Sequence, residues 1–410
     1  MKRSIVLAML LLLLAILAIY GLLAWRQKAA AVQSVRIGVL HSLSGTMASS
    51  EKQLVEVLQL AIEEANADGG INGQQLEAVV ADCRSDAAYC ARQAERLISE
   101  EKVSVLFGCW TSNCRKAVKP VVEKHQHLLF YPVQYEGLEL SPNIIYTGAA
   151  PNQQIIPGVH WALGQFGKRV YLVGSDYVFP RLANLIIKDI LLAQGGVVAG
   201  ERYLPLGSTA MDAVVADIAR QRPQVVLNTI NGDSNAHFFA ALKQAGLGKL
   251  PLISFSVDES GMKAWRGEEL AQHYGVWNYF QSLPGERNRS FIAAYQARFG
   301  AERVITDPME ASHIGLQLWL QAAREAGSAQ PAQVQRTILR QTLLAPEGMV
   351  AVDPRTRHLW KTPRIGKVRP DGQYDIVLDE ERPLAPAPFP SYRFQDDWQR
   401  LLQSFDGNKP

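Results

Sequence analysis

The sequence predicts an α/β protein of two units, each an open sheet of mainly parallel strands flanked by helices. Three observations carry that prediction. Short apolar runs alternate with amphipathic helical segments through four strands, the pattern restarts after Pro151, and no lengthy linker divides the two stretches. The right-handed β-to-α crossover favours parallel strands within each unit.

VRIGVL at 35–40 is an apolar run that gives way to the small, polar HSLSGTMASS, as a strand feeding a loop does. Residues 51–67 place Leu54, Val55, Leu58, Ala61, Ile62 and Ala65 on one helical stripe, ended by Asp68-Gly69-Gly70 and turned by Asn72-Gly73. LEAVVA is the second strand, 87–99 the second helix and VSVLFG at 103–108 the third strand. Thr111 or Ser112 can cap a helix that reaches about Glu123. LLFYP at 128–132 and NIIYTG at 143–148 are the next strands. The second unit reads as helix 155–166, strand 169–174, helix 182–193, strand 197–203, helix 211–219, strand 224–229, helix 233–244 and strand 250–256. Helices follow at 287–299, 309–323 and 331–340. The rest is rich in Pro, Gly and charge, and GKVRPDGQYDIVLD at 366–379 reads as a hairpin turning at Asp371-Gly372.

The 410 residues are 48% hydrophobic and 20% charged, which excludes a mainly disordered chain and a multi-span membrane protein. Lys2, Arg3, Arg26 and Lys28 account for the formal charge of +3. The remainder, 38 basic and 39 acidic residues, gives no reason to expect a nucleic-acid partner. The run from Ile5 to Trp25 is 21 residues without a charge. That matches the about 20 helical residues of a bilayer core and exceeds the about 7–15 of a signal-peptide core. Residues 1–31 therefore read as an uncleaved membrane anchor, with cleavage at Ala29-Ala30-Ala31 the alternative, and either reading exports the rest.

Export permits disulfides among the four cysteines. Cys83 and Cys90 could clip a loop to a helix start. Cys109 with Cys114 would join a strand end to a helix start, where geometry can forbid a bridge. Zinc is disfavoured, because the spacing is not C-x2-C and no histidine falls inside the cluster.

Polarity collects at the strand ends. In FGCWTSNCRKAV, Trp110, Thr111 and Ser112 sit where strand becomes helix. Free N–H groups there can hold a carbonyl oxygen or an anion, and simple N-capping is the alternative use of the same residues. FYPVQYEG offers Tyr131, Tyr135 and Glu136; GSDYVFPR offers Asp176 and Tyr177; LNTINGDSN offers Asn228, Asn231 and Asp233; SFSVDE offers Asp258; GVWNYF offers Trp277 and Asn278. Clusters from both units at strand ends suit a pocket of aromatic walls with a few directed polar groups, in a crevice between lobes. Catalysis finds little support: G-x-S-x-G, G-x-x-x-x-G-K-[ST] and H-E-x-x-H are all absent, and the histidines lie singly on helices or lead into a strand. No cofactor is expected.

The strings VRIGVLHSLSGTMA, FGCWTSNCRKAVKPVVE, LLFYPVQYEGLELSPNIIYTGAAPNQQIIPGVHW, VGSDYVFPRLAN, LNTINGDSN and WNYFQS carry a resemblance over about residues 35–390. The chain resembles the urea and short-chain-amide branch of the type 1, leucine-binding-like periplasmic binding proteins. The resemblance implies two α/β/α sandwich lobes joined by a three-crossover hinge. It places 35–147 with about 281–345 in lobe 1, 148–280 with about 346–390 in lobe 2, and 391–410 in a tail. It implies clamshell capture of urea or a short amide, and delivery to an ABC permease with ATPase subunits. Ser112, Tyr131 and Tyr177 occupy the family's ligand-lining motif positions, with Trp110, Thr111, Asn231 and Trp277 as further walls. Urea has one acceptor and four N–H donors. Ser112 and local N–H groups would face its oxygen, and Asp258 or Glu136 would accept from its nitrogens. The sequence departs from the family at Cys83, Cys90 and Cys114, which strengthens the expectation of a Cys83–Cys90 disulfide. The anchor suits a transport receptor in the periplasm and equally a membrane-anchored sensor of a small amide or amino acid.

Overall fold

The computed structural model describes residues 34–264 and 272–407, with scattered positions between 13 and 20. Apart from those positions the expected anchor or signal segment lies outside the described residues, among which no helix is long and apolar enough to cross a membrane.

The first sheet is parallel throughout, in the order β2-β1-β3-β4-β5. Its strands are β1 (Val35–His41), β2 (Leu76–Asp82), β3 (Val105–Gly108), β4 (Leu129–Tyr131) and β5 (Ile144–Tyr146), connected by α1 (Ala48–Ala67), α2 (Ala87–Ser99) and α3 (Ser112–Lys124). Strands covered on both faces read as continuous apolar runs, which is why β1 and β3 were visible in the sequence. Ile37, Val39, Phe107, Phe130 and Ile145 form one face of a core closed by Leu58 and Ile62 of α1 and by residues of α10, described below.

The second sheet runs β15-β14-β10-β9-β8-β6-β7. Parallel strands β6 (Arg169–Ser175), β7 (Val197–Leu204), β8 (Val225–Thr229), β9 (Leu252–Ser254) and β10 (His273–Trp277) are extended by the antiparallel β14 (Arg364–Val368) and β15 (Tyr374–Asp379). Its helices are α4 (Ile155–Phe166), α5 (Val178–Ala193), α6 (Asp212–Gln221), α7 (Ser234–Gln244) and the short α8 (Glu259–Ala264). Helix α5 begins a turn earlier than expected and takes in Pro180, which the first turn tolerates because its N–H would be unpaired anyway. Then come α9 (Glu286–Phe299), α10 (Asp307–Ala326) and α11 (Pro331–Thr337). Helix α10 returns to the first sheet, where Ile314 and Trp319 complete the core.

Two expectations need correction. Residues 342–360 form an unforeseen antiparallel sheet of β11 (Thr342–Ala345), β12 (Gly348–Val352) and β13 (Leu359–Trp360). Its Ala345, Val350, Val352 and Leu359 pack into the first core, so the chain rejoins the second lobe only at β14. The supposed tail contains α12 (Gln395–Gly407). Trp398 is buried against the second core with its indole N–H on the Pro390 carbonyl, and Arg393 grips Asp189 of α5 with two bonds of 2.5 and 2.7 Å.

The chain crosses between the sheets after β5, after β10 and after β13. Buried Asn278 stitches all three crossings: its Nδ2 donates to the carbonyls of Gln153 and Thr362 at 3.1 and 3.0 Å. Asp307 accepts from the N–H groups of Asn278 and Tyr279. These buried side-chain-to-backbone contacts fix where the lobes can pivot.

Candidate functional site

The site grows from the end of β3. Gly108 lies against the backbone of Leu40, where a Cβ would meet the carbonyl oxygen at 2.1 Å. Cys109 then turns the chain at φ 65°, and Thr111 caps α3 by accepting from the Cys114 N–H. The expected capping use of Thr111 is therefore realised. Ser112 and Asn113 head the helix, where N–H groups lack intrahelical partners.

Under that helix start lies a buried polar network. The Ser112 hydroxyl donates to Glu136 at 2.5 Å. Arg115, wholly buried, donates to Glu136 and to Glu139 at 2.9 Å each and to the Ser112 hydroxyl at 3.1 Å. Its guanidinium also lies over the rings of Tyr131 and Tyr135. Burial works against charge on Glu139, but Arg115, then Lys116 and Lys119, outweigh it and hold the carboxyl at about 2. Burial pushes the Tyr131 and Tyr177 phenols up, so both stay protonated. The Tyr131 hydroxyl donates to the Trp110 carbonyl at 2.6 Å. The hydroxyl protons of Ser112 and Tyr131 are thus already committed, and these two oxygens offer a ligand their lone pairs rather than the expected donors.

The second lobe closes over this floor. Helices α3 and α5 meet at the cleft, bringing half-buried Tyr177, the residue that precedes α5, near Tyr131 and Glu136. The Tyr177 hydroxyl makes no hydrogen bond to another described residue. Asn231 accepts from the Trp110 indole across the cleft at 3.4 Å. Further cross-cleft bonds join Ser49 to Asp233 and Gln53 to Ser260, each 2.9 Å, and Gln134 to the Phe255 carbonyl at 2.8 Å. The described residues line two cavities in the cleft. One of about 180 Å³ is lined by Thr111, Asn113 and Tyr177 among others. The other, about 80 Å³, is lined by Trp110, Asp233 and Asp258 among others. Burial raises the Asp258 carboxyl to about 6, with the Gly261 and Ser260 N–H groups opposing. A larger cavity of about 680 Å³, between α9, α10 and β11, holds none of the candidate residues.

The structure therefore gathers Trp110, Thr111, Ser112, Tyr131, Glu136, Tyr177, Asn231 and Asp258 along one seam. It does not bring Trp277 there: the indole donates to the Val257 carbonyl and packs in the core. Sequence reading missed Arg115, Glu139 and Gln134. The one local signal was the Ser112/Arg115 spacing of three, which puts that pair on one side of the helix; Gln134, Glu136 and Glu139 lie in an irregular loop that carries no such periodicity. Both disulfides, Cys83–Cys90 and Cys109–Cys114, are formed. The doubt about the second is resolved by the turn at Cys109, which leaves the Cα atoms 5.5 Å apart, within bridging range.

Two α/β lobes, three crossings and a polar seam at the carboxyl ends of both sheets define a two-lobed solute-binding protein. The chain belongs to the periplasmic binding protein family: the family model for the periplasmic binding protein domain matches residues 35–395. The chain is 23% identical over 371 residues to Leu/Ile/Val-binding protein homolog 6 of Brucella melitensis, covering 87% of this chain and 93% of the relative. A 140-residue stretch is 32% identical to limonene hydroxylase of Geobacillus stearothermophilus, 33% of this chain; the match spans only 26% of that protein. Among solved structures, a solute-binding protein of an ABC transporter from Rhodopseudomonas palustris in complex with benzoate superposes with a TM-score of 0.79 at 18% identity, covering 87% of this chain and 98% of that one. A branched-chain amino acid transporter substrate-binding protein from Streptococcus pneumoniae in complex with isoleucine gives 0.75 at 17%, covering 85% and 99%. These likenesses are of fold.

Proposed function

We propose that the protein captures a small neutral solute, urea or a short-chain amide, between its lobes and presents it to an ABC-type permease with ATPase subunits. One observation carries the choice of a neutral ligand. Among the described residues the arginine in the floor of the seam, Arg115, is spent on Glu136 and Glu139, so those residues offer no unpaired cation there for a carboxylate. The benzoate and isoleucine held by the two structural relatives are both carboxylates, and the difference in charge is the point under test. A carbonyl oxygen would sit at the Ser112 and Asn113 N–H groups and the Tyr177 hydroxyl. Amide N–H groups would meet Glu136, the lone pairs of Ser112 and Tyr131, and Asp258. Each N–H left unpaired would cost about 1–3 kcal/mol, enough to select among close mimics. The uncharged run from Ile5 to Trp25 would hold this receptor at the periplasmic face of the inner membrane.

Calorimetric titration with urea, formamide, acetamide, leucine and benzoate tests this. Saturable heat from urea or an amide, with silence from the two carboxylates, is the expected result. Heat from leucine or benzoate alone would overturn the neutral-ligand reading.

A further inference from the structure

Two disulfides that the sequence places in separate segments share one site. Cys83 follows β2, Cys90 lies in the first turns of α2, Cys109 follows β3 and Cys114 is the third residue of α3. The Sγ atoms of Cys90 and Cys114, which belong to different bridges, are 3.2 Å apart. Those of Cys83, Cys90 and Cys114 all lie within 4.8 Å of one another, and that of Cys109 is bonded to Cys114. The spacing that argued against zinc is irrelevant once the fold merges the two pairs. A tetrahedral tetrathiolate with metal–sulfur bonds of about 2.3 Å has sulfur–sulfur edges of about 3.8 Å. The unbonded Cys90 and Cys114 sulfurs, at 3.2 Å, lie about 0.6 Å inside that edge. The first turns of α2 and α3 favour thiolate charge on Cys90 and Cys114. Cys83, Cys90 and Cys114 also line the 180 Å³ cleft cavity, whose Glu51 and Asp86 give a cation an acidic approach.

We propose that Cys83, Cys90, Cys109 and Cys114, when reduced, form a tetrathiolate site for a soft, thiophilic metal ion of the zinc class. Each bridge takes two electrons and two protons from a dithiol donor, which leaves as its own disulfide. The four thiols then release their protons as four sulfur–metal bonds form. The site stands independently of which solute the cleft accepts.

The test uses the full chain in detergent, reduced with a water-soluble phosphine, which takes oxygen from water to become its oxide. After anaerobic removal of the reductant, four titratable thiols per chain and an unchanged circular dichroism spectrum establish the starting state. Cd²⁺ is then added and the sulfur-to-metal charge-transfer absorbance followed. A band saturating at one ion per chain is expected, absent in the oxidised chain and at least tenfold weaker in affinity for Cys90→Ser and Cys114→Ser. A folded, fully reduced chain without that band overturns the proposal, as does undiminished affinity in both variants. The comparison of reduced with oxidised wild type decides the matter even if a variant fails to fold.

Discussion

Replacing Arg115 by methionine should cost far more stability than its single positive charge suggests. The guanidinium is wholly buried and makes three hydrogen bonds, to Glu136, Glu139 and Ser112. Glu139 would keep Lys116 and Lys119 at 3.8 and 3.9 Å, but Glu136, fully buried, would keep only the Ser112 hydroxyl. Removing one partner from a buried pair typically costs about 3–5 kcal/mol, because the other charge is stranded. At about 2.1 cal/mol/K per residue over roughly 370 folded residues, each kcal/mol moves the melting temperature by about 1.3 °C. The expected fall is therefore about 4–6 °C. Adding Glu136→Gln removes the stranded charge and should restore at least about 1 kcal/mol, a non-additivity of the kind that contacting pairs show. Calorimetry or guanidinium unfolding is the assay, since urea is a candidate ligand. A fall below about 1 °C, or a double variant less stable than Arg115→Met alone, would refute the stranded-charge reasoning.

Tyr177→Phe removes a hydroxyl that makes no hydrogen bond within the described protein, so affinity for the solute should fall about tenfold, one hydrogen bond's worth, while the melting temperature holds. Calorimetric titration of the variant reads the first and a thermal scan the second; unchanged affinity would remove Tyr177 from the site. Ser49→Ala with Gln53→Ala deletes two of the cross-cleft bonds, and at about 0.5–1.5 kcal/mol each the pair should weaken solute binding by roughly 5- to 160-fold. Small-angle scattering should show a more open unliganded chain, and a double variant as closed and as tight as wild type would contradict a latch role. Glu139, held at about 2 against an ordinary 4.5, is a depressed carboxylate, so it stabilises the fold above pH 4.5 and loses that contribution as pH falls towards 2. The loss should reach roughly 3 kcal/mol in guanidinium unfolding. Glu139→Gln should flatten the profile over that window, and an equally steep one would assign the acid sensitivity elsewhere.

Most elements were legible because parallel strands with two covered faces and helices with one apolar stripe have different periods, and β1, β6, α2 and α4 follow them cleanly. The β11–β13 sheet did not show because its outward-facing Leu344, Met349 and Trp360, 49%, 51% and 36% exposed, are apolar too, which hides the alternation of a half-buried strand. In the site, Thr111 and Ser112 were legible because capping chemistry is local. Arg115 was not, since a cation in a helix beside Lys116 reads as solvated, and only the fold of the 133–139 loop brings two carboxylates under it. Trp277 misled for the converse reason: an aromatic at a strand end serves a wall or a core equally well, and the nearby Val257 carbonyl decided for the core. The cysteines read as two local pairs because proximity between α2 and α3 is tertiary information.

Helix α10 has a consequence for how the chain is made. It closes the core over Phe107, Phe130 and Ile145 with Ile314 and Trp319, Phe107 meeting Trp319 edge-on with ring centroids 6.4 Å apart. The first sheet is complete at Tyr146, yet α10 begins only at Asp307, some 160 residues later. At a synthesis rate of about 5–20 residues per second, the nascent chain spends roughly 8–30 seconds with that aromatic face uncovered. The amino-terminal half therefore cannot settle before nearly the whole polypeptide has emerged. A nascent chain kept from early collapse in this way remains threadable, which suits the extracytoplasmic location that the family implies.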